Sequence, residues 1–340
     1  MCELHPQNTS SLMNYRCGSQ PSQLSKLFLL VCALLLSTGC VRDQSPRVLE
    51  IAYVRGGEVP LRDELGTSAG PVATLDGGER VEVVAKRTRW VQVRLAGGRT
   101  GWVHSRFLAP QKVLDEFRRL GSEAAGMPSQ GTAVLRRVAN LHLEPSTKAD
   151  IFYRLAERDK VDVLAHRIVE RDERATNTAT DDGADPEAAE VAIKSHEDWF
   201  LVRGCADKAG WLRENFLDIS PPLEIARYSE DLRIRAWFEL YKEQDGNDVH
   251  PWYLWATIHP RPGLPFDLDE IRVFVWNPSK SRYETSYRER KLIGFYPIQV
   301  RSVETPSGPA PAFSLQVEDP SGKRYTKSYI MAGRIVRPAS

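Results

Sequence analysis

Arg89–Leu108 reads RWVQVRLAGGRTGWVHSRFL, and Asp198–Leu217 reads DWFLVRGCADKAGWLRENFL. Trp90 and Trp102 stand 12 positions apart, as do Trp199 and Trp211, and Phe107 and Phe216 each follow the first tryptophan by 17. A self-similar stretch of this length makes the repeat the unit of folding. Within it Trp90, Gln92 and Arg94 alternate with Val91, Val93 and Leu95, the period-2 signature of a half-buried strand. Ala96-Gly97-Gly98-Arg99 supplies residues that tolerate the positive φ of a tight hairpin. Gly101, next to Trp102, predicts that the returning strand passes close to a neighbouring segment.

The repeat extends upstream. Leu75, Val81 and Val83 recur 80 positions later as Leu155, Val161 and Val163, whereas the tryptophans recur at 109, so the second copy carries an insertion of 29 residues. Further back, Leu61 aligns equally well with Leu141 or Leu143. The run Leu-x-x-Gly-x-x-Val-x-Val, then Trp-x-x-Val-Arg, Gly-Trp-Val and a closing Phe-Leu resembles the bacterial SH3-like domain, once over Val48–Pro110 and again over Gly131–Ser220. The second copy departs through its insertion and through Ala156-Glu157-Arg158, where Asp76-Gly77-Gly78 stand in the first.

The resemblance implies two small barrels that recognise peptides or peptidoglycan stem peptides, with Trp90, Trp102, Trp199 and Trp211 as candidate ligand contacts. The same tryptophans have a structural use. A buried Trp removes roughly 150–250 Å² from water, which at about 25 cal/mol/Å² is an upper bound of several kcal/mol. Barrels of about 60 residues are marginal without such burial. The four are therefore read first as core and rim, and second as a binding surface.

Residues 1–40 read as an export signal. Lys26 precedes the apolar run Leu27–Leu36, too short for a bilayer span of about 20 residues and the size of a secretory h-region. The ending Leu-Ser-Thr-Gly-Cys resembles a bacterial lipobox, which implies acylation of Cys40 and a membrane anchor. Palmitate and similar chains anchor stably when more than one is buried. Val41, rather than Asp, after the cysteine implies the outer membrane, with the protein facing the periplasm. Cys2, Cys17 and Cys32 leave with the signal; once Cys40 carries lipid, Cys205 has no intrachain partner.

The chain carries 46 basic and 45 acidic residues, so no charge surplus argues for nucleic acid. Gln111–Gly121 reads as a helix, with Val113, Leu114, Phe117 and Leu120 on one face; with the linker that follows it fills 111–130. Residues 131–220 hold the second module, and the acidic insertion 168–195 is too poor in apolar residues to order itself.

From 223 to 340 the text is strand-like, from Leu232–Glu239 to Tyr325–Met331, with turn signals such as Asp245-Gly246-Asn247, Arg261-Pro262-Gly263 and Asp319-Pro320-Ser321-Gly322. This reads as an antiparallel β sandwich or barrel, in which Val273-Phe-Val-Trp276, apolar on both faces, is an interior strand. The fold class is thus mainly β, two small SH3-like barrels followed by a C-terminal all-β domain.

Chemistry is sparse. The seven histidines form no metal-ligand spacing, and nucleophile elbows and glycine-rich phosphate loops are missing, so no cofactor or metal is called for. The nearest cluster, His250, His259, Asp267 and Asp269 around loop 260–265, reads as solvated loop residues. The expected function is a non-catalytic envelope lipoprotein that binds peptide or peptidoglycan. The alternatives are a structural scaffold in an envelope assembly and an enzyme housed in the C-terminal β domain.

Overall fold

The first sheet comprises β1 (Glu50–Val54), β2 (Val59–Arg62), β3 (Pro71–Leu75), β4 (Arg80–Arg87), β5 (Trp90–Arg94), β6 (Thr100–His104) and β7 (Leu108–Pro110), in the order β3-β2-β6-β5-β4-β1-β7. These strands belong to a computed structural model that describes residues 46–68, 70–170, 196–260 and 264–339. The expected signal and Cys40, the turn at 261–263 and positions 171–195 of the insertion lie outside the described residues.

Helix α1 (Gln111–Ala125) follows, then a second sheet of β8 (Thr132–Leu135), β9 (Ala139–His142), β10 (Ile151–Leu155), β11 (Lys160–Glu170), β12 (His196–Arg203), β13 (Ala209–Arg213) and β14 (Leu217–Asp218). Its order is β10-β9-β13-β12-β11-β8-β14, the first order repeated seven strands on. Each sheet supplies an apolar cluster from one of its own faces, Val54, Leu61, Leu75, Val83 and Val93 in the first and Leu135, Leu141, Leu155, Val163 and Val202 in the second. A single sheet encloses a core in this way only by curling on itself.

The expected close approach is present in both copies. A Cβ on Gly101 would fall 2.6 Å from Leu61 Cγ, and one on Gly210 2.6 Å from Leu141 Cβ. Leu61 therefore corresponds to Leu141, which settles the alignment the sequence leaves open. The missing glycines of the second copy change little, because Arg158 takes the positive φ of +69° where Gly78 takes +92°.

Two boundaries differ from expectation. Helix α1 runs through Gly121 to Ala125, with Gly126 at its end. A helical glycine costs roughly 1 kcal/mol, but here Leu120 and Ala124 pack against Trp199 and Trp211, which offsets it. The insertion also starts later than expected. Ile168, Val169 and Glu170 are strand residues paired with Asp198, Glu197 and His196, and Val169 packs beside the same tryptophans.

The third sheet is a meander in chain order, β15 (Arg233–Asp245), β16 (Asp248–Ile258), β17 (Leu268–Asn277), β18 (Arg282–Thr305), β19 (Gly308–Glu318), β20 (Arg324–Ala332) and β21 (Ile335–Ala339). Tyr283–Tyr287 and Ile293–Val300, both strand-like in sequence, belong to one element. Strand β18 pairs with β17 as far as Gly294 and with β19 from Gly294 onward. The sheet is apolar on both faces, as Val273-Phe-Val-Trp276 predicts: Val273 joins the cluster around Leu254 and Phe313, and Phe274 the cluster of Trp255 and Ile225. Ile225 comes from the short helix α2 (Leu223–Ala226) that covers that second face.

Candidate functional site

The four tryptophans all point away from their sheet's enclosed core, and there the likeness ends. In the first sheet Val91, Val93 and Val103 are buried, while Trp90, Gln92, Trp102 and His104 on the outer face are half-exposed. Trp90 meets the His104 ring edge-on at 5.6 Å, and His104 meets Phe107 at 6.3 Å. His104 Nδ1 accepts the Arg106 N–H at 3.2 Å. Desolvation, then the charges of Arg106 and Arg89, hold the ring below the usual histidine range, so it sits on the face as a neutral aromatic.

In the second sheet the same face is closed. Trp199 is 1% and Trp211 7% exposed, in a cluster with Leu164, Leu201 and Ala124. The cover is the last turn and a half of α1, with Leu120 and Met127 at its edge. Arg203 fixes that end by donating to the carbonyls of Ala124, Ala125 and Met127 at 2.8, 3.2 and 3.3 Å, at and just past the helix C-terminus, where carbonyls lack their full intrahelical partners. Its other arm pairs with Asp162 at 2.9 Å, as Arg94 pairs with Glu82 at 2.8 Å in the first copy. Of the four candidates, then, Trp90 and Trp102 lie on an open surface and Trp199 and Trp211 are packing residues.

A cleft of about 330 Å³ opens at the seam between the two curled sheets. Its lining comes from the β1–β2 loop (Arg55, Gly56, Gly57, Glu58), from Arg106 and Phe107 at the end of the first repeat, and from Ile151, Phe152 and Arg154 on β10. The seam is hydrogen-bonded, since Gly56 N–H donates to the Phe152 carbonyl at 2.8 Å, and within the first repeat Arg55 Nε donates to the Arg106 carbonyl at 2.6 Å. Burial pulls the Arg55 guanidinium below its ordinary value, against the opposing charge of Asp150.

The second repeat is also stapled to the third sheet by groups the sequence does not announce. His166, 1% exposed in its side chain, bonds Asp267 through Nδ1 at 2.6 Å and Asp198 through Nε2 at 2.7 Å. Two ionised carboxylates only accept, so the ring donates from both nitrogens as the imidazolium. Arg235 joins Asp198 to Glu214, each at 3.3 Å, and Asp267 also accepts the Tyr296 N–H at 2.7 Å. Burial draws the His166 pKa down, but the bonds to Asp198 and Asp267 outweigh it and the net shift is upward. For Asp198 burial acts upward, and His166 and Arg235 carry it below the carboxylate range. Gln130, read as linker, is fully buried and exchanges bonds with the Ile298 backbone at 2.7 and 3.4 Å.

The cluster considered around loop 260–265 separates. Asp267 belongs to His166, His259 pairs with Asp269 at 2.7 Å on the surface, and His250 stacks on Trp276 at 3.7 Å. Among the described residues no group of three or more His, Cys, Asp or Glu is placed to hold a metal ion. Cys205 is exposed in the β12–β13 turn.

With this geometry in view, residues 57–109 match the bacterial SH3 domain. The match spans the open face, Trp90 and Trp102 included, and makes the first sheet SH3-like. A search of curated proteins finds no match to the chain. Among solved structures it is similar to NlpC2 and NlpC1 from Trichomonas vaginalis, each at 11% identity over 71% of this chain and 97% and 92% of theirs. The TM-score is 0.17 in both cases, and neither likeness bears on fold or activity.

Proposed function

We propose that the protein is a non-catalytic binding lipoprotein of the cell envelope, anchored through Cys40 in the outer membrane and facing the periplasm, with both repeats serving as SH3-like modules for peptide or peptidoglycan. The observation that supports this reading is the open outer face of the SH3-matched sheet. Trp90, Trp102 and His104 form an aromatic surface there, whereas the equivalent tryptophans of the second copy are spent on packing. Aromatic side chains left half in water at a fixed backbone position bind at low entropic cost.

Sedimentation of the purified chain with insoluble peptidoglycan tests the reading. The wild type should pellet, and a Trp90→Ala/Trp102→Ala double variant should remain in the supernatant with an unchanged circular dichroism spectrum. A wild type that stays soluble in that assay sinks the peptidoglycan reading. A second reading, a scaffold subunit, draws on the third sheet. A cleft of about 800 Å³ there is lined by the half-exposed Tyr241, by Trp252, and by Pro306, Pro309 and Met331. Loss of a co-purifying envelope protein on Tyr241→Ala, with sedimentation intact, would favour it.

A further inference from the structure

We infer that the seam cleft is a second binding site, one that takes the free C-terminal carboxylate of a short peptide among Arg55, Arg106 and Arg154. The inference rests on the peptide-binding reading and adds to it a place and a chemical class. Three guanidinium groups line one cleft with a single lining carboxylate, Glu58. Among the described residues none of the three arginines forms a salt bridge, whereas Arg80, Arg94, Arg136, Arg203 and Arg213 of the same repeats do; Asp150 contributes an opposing charge to Arg55. Guanidinium forks match a carboxylate in two-bond geometry, and Glu58 offers an acceptor for a ligand N–H. Phe107, Ile151 and Phe152 give the remaining wall apolar area for a side chain or methyl group.

The cleft is formed before any ligand arrives. Gly56 holds a φ of +87°, and a Cβ on Gly77 would lie 2.2 Å from the Gly56 carbonyl oxygen. The loop bearing Arg55 and Glu58 is thus pressed onto the β3–β4 turn on one side and bonded to Phe152 on the other. A site built in advance spends less of its binding free energy on ordering. Its volume of about 330 Å³ lies at the lower end of small-ligand pockets, about 300–1,000 Å³, which suits the end of a peptide and excludes a folded partner. Neither repeat makes the cleft alone, because Arg55, Arg106 and Phe107 come from the first and Ile151, Phe152 and Arg154 from the second.

The test compares one peptide in two forms on the full chain purified in detergent. The probe is a synthetic stem pentapeptide ending in D-Ala-D-Ala, as the free acid and as the C-terminal carboxamide, titrated by calorimetry. The acid should bind at least tenfold more tightly than the amide. Arg106→Gln and Arg154→Gln, both at exposed positions, should each weaken the acid at least tenfold and remove the difference between the two forms. Lys86→Gln, on the exposed surface of the first repeat and outside the cleft lining, should leave that difference in place. Equal binding of acid and amide, or an acid preference that survives both arginine variants, overturns the site, and so does the failure of both forms to bind. In each of those cases wild-type chain that still pellets with peptidoglycan preserves the binding function. Conversely, a chain that does not pellet but prefers the acid through its arginines upholds the site and removes the peptidoglycan reading.

Discussion

The two repeats share strand order, a glycine pressed onto a leucine, and an arginine–carboxylate pair across neighbouring strands, yet one outer face is wet and the other dry. Gln92 of the first stands where Leu201 stands in the second, and Thr100 where Ala209 stands, and both replacements in the second copy join the cluster under α1. A helix end of fixed length covers one face only, and it covers the face whose polar side chains have been exchanged for apolar ones. The two sheets therefore share a ladder and differ in one surface. The enclosed cores fix the fold, and the outer faces carry what differs in use.

The largest expected effect separates the tryptophans. Trp199→Ala should cost about 3–5 kcal/mol, the usual range for a buried aromatic, and Trp90→Ala about 1 kcal/mol, the centre of ordinary substitutions. Urea denaturation of both variants measures the gap. Equal losses would mean that the first face is also closed in solution, and the comparison between repeats would break.

Much of this was legible in the sequence for a physical reason. The alternation of Trp90, Gln92 and Arg94 with Val91 and Val93 records a strand with one side dry, and a glycine beside a strand tryptophan records a close approach, so the ladders and Gly101 follow directly. Which residues cover a face is not local information. Helix α1 reads as ending at Gly121 because a glycine is the usual stop, and only the tertiary burial of Leu120 and Ala124 overrides it. The four tryptophans look alike for the same reason, since their identical spacing says nothing about Gln92 against Leu201. The staple is less legible still. His166, Asp198 and Asp267 are 32 and 101 positions apart, with no periodicity to join them.

The staple sharpens the comparison through pH. The pKa of His166 is raised in the folded chain, so its contribution is present in full below its unfolded value of about 6.5 and is lost as pH rises through the folded value. That of Asp198 is lowered, so its contribution is present above about 3.9 and is lost as pH falls through the folded value. Stability from this cluster should therefore peak on the mildly acidic side of neutrality and decline toward alkaline pH. One proton limits the slope to about 1.4 kcal/mol per pH unit. Arg235, Glu214 and Tyr296 share the cluster, and His166→Gln should remove the alkaline decline and shrink the acid limb to the part that Arg235 holds. A wild type whose urea midpoint is level from pH 6 to 9 would show that the ring is not the proton carrier.

The smallest effect belongs to the position in the first repeat that matches His166. Lys86 stands 80 residues earlier, on β4, and its amine lies 2.9 Å from Glu50 with both side chains more than half exposed (53% and 51%). The same place in the ladder thus holds a buried imidazolium between two carboxylates in one copy and a solvated surface pair in the other. An exposed pair is worth about 0–1 kcal/mol and is screened within a Debye length of about 10 Å at 0.1 M salt. Lys86→Gln should accordingly shift the urea midpoint by an amount close to experimental error, and raising the salt to about 0.5 M should erase even that. The His166→Gln effect should persist in the same salt, because buried pairs are screened much less. If the two variants instead fade together as salt is added, the His166 cluster is open to solvent, and the second repeat is joined to the third sheet by Gln130 and its backbone partners rather than by charge.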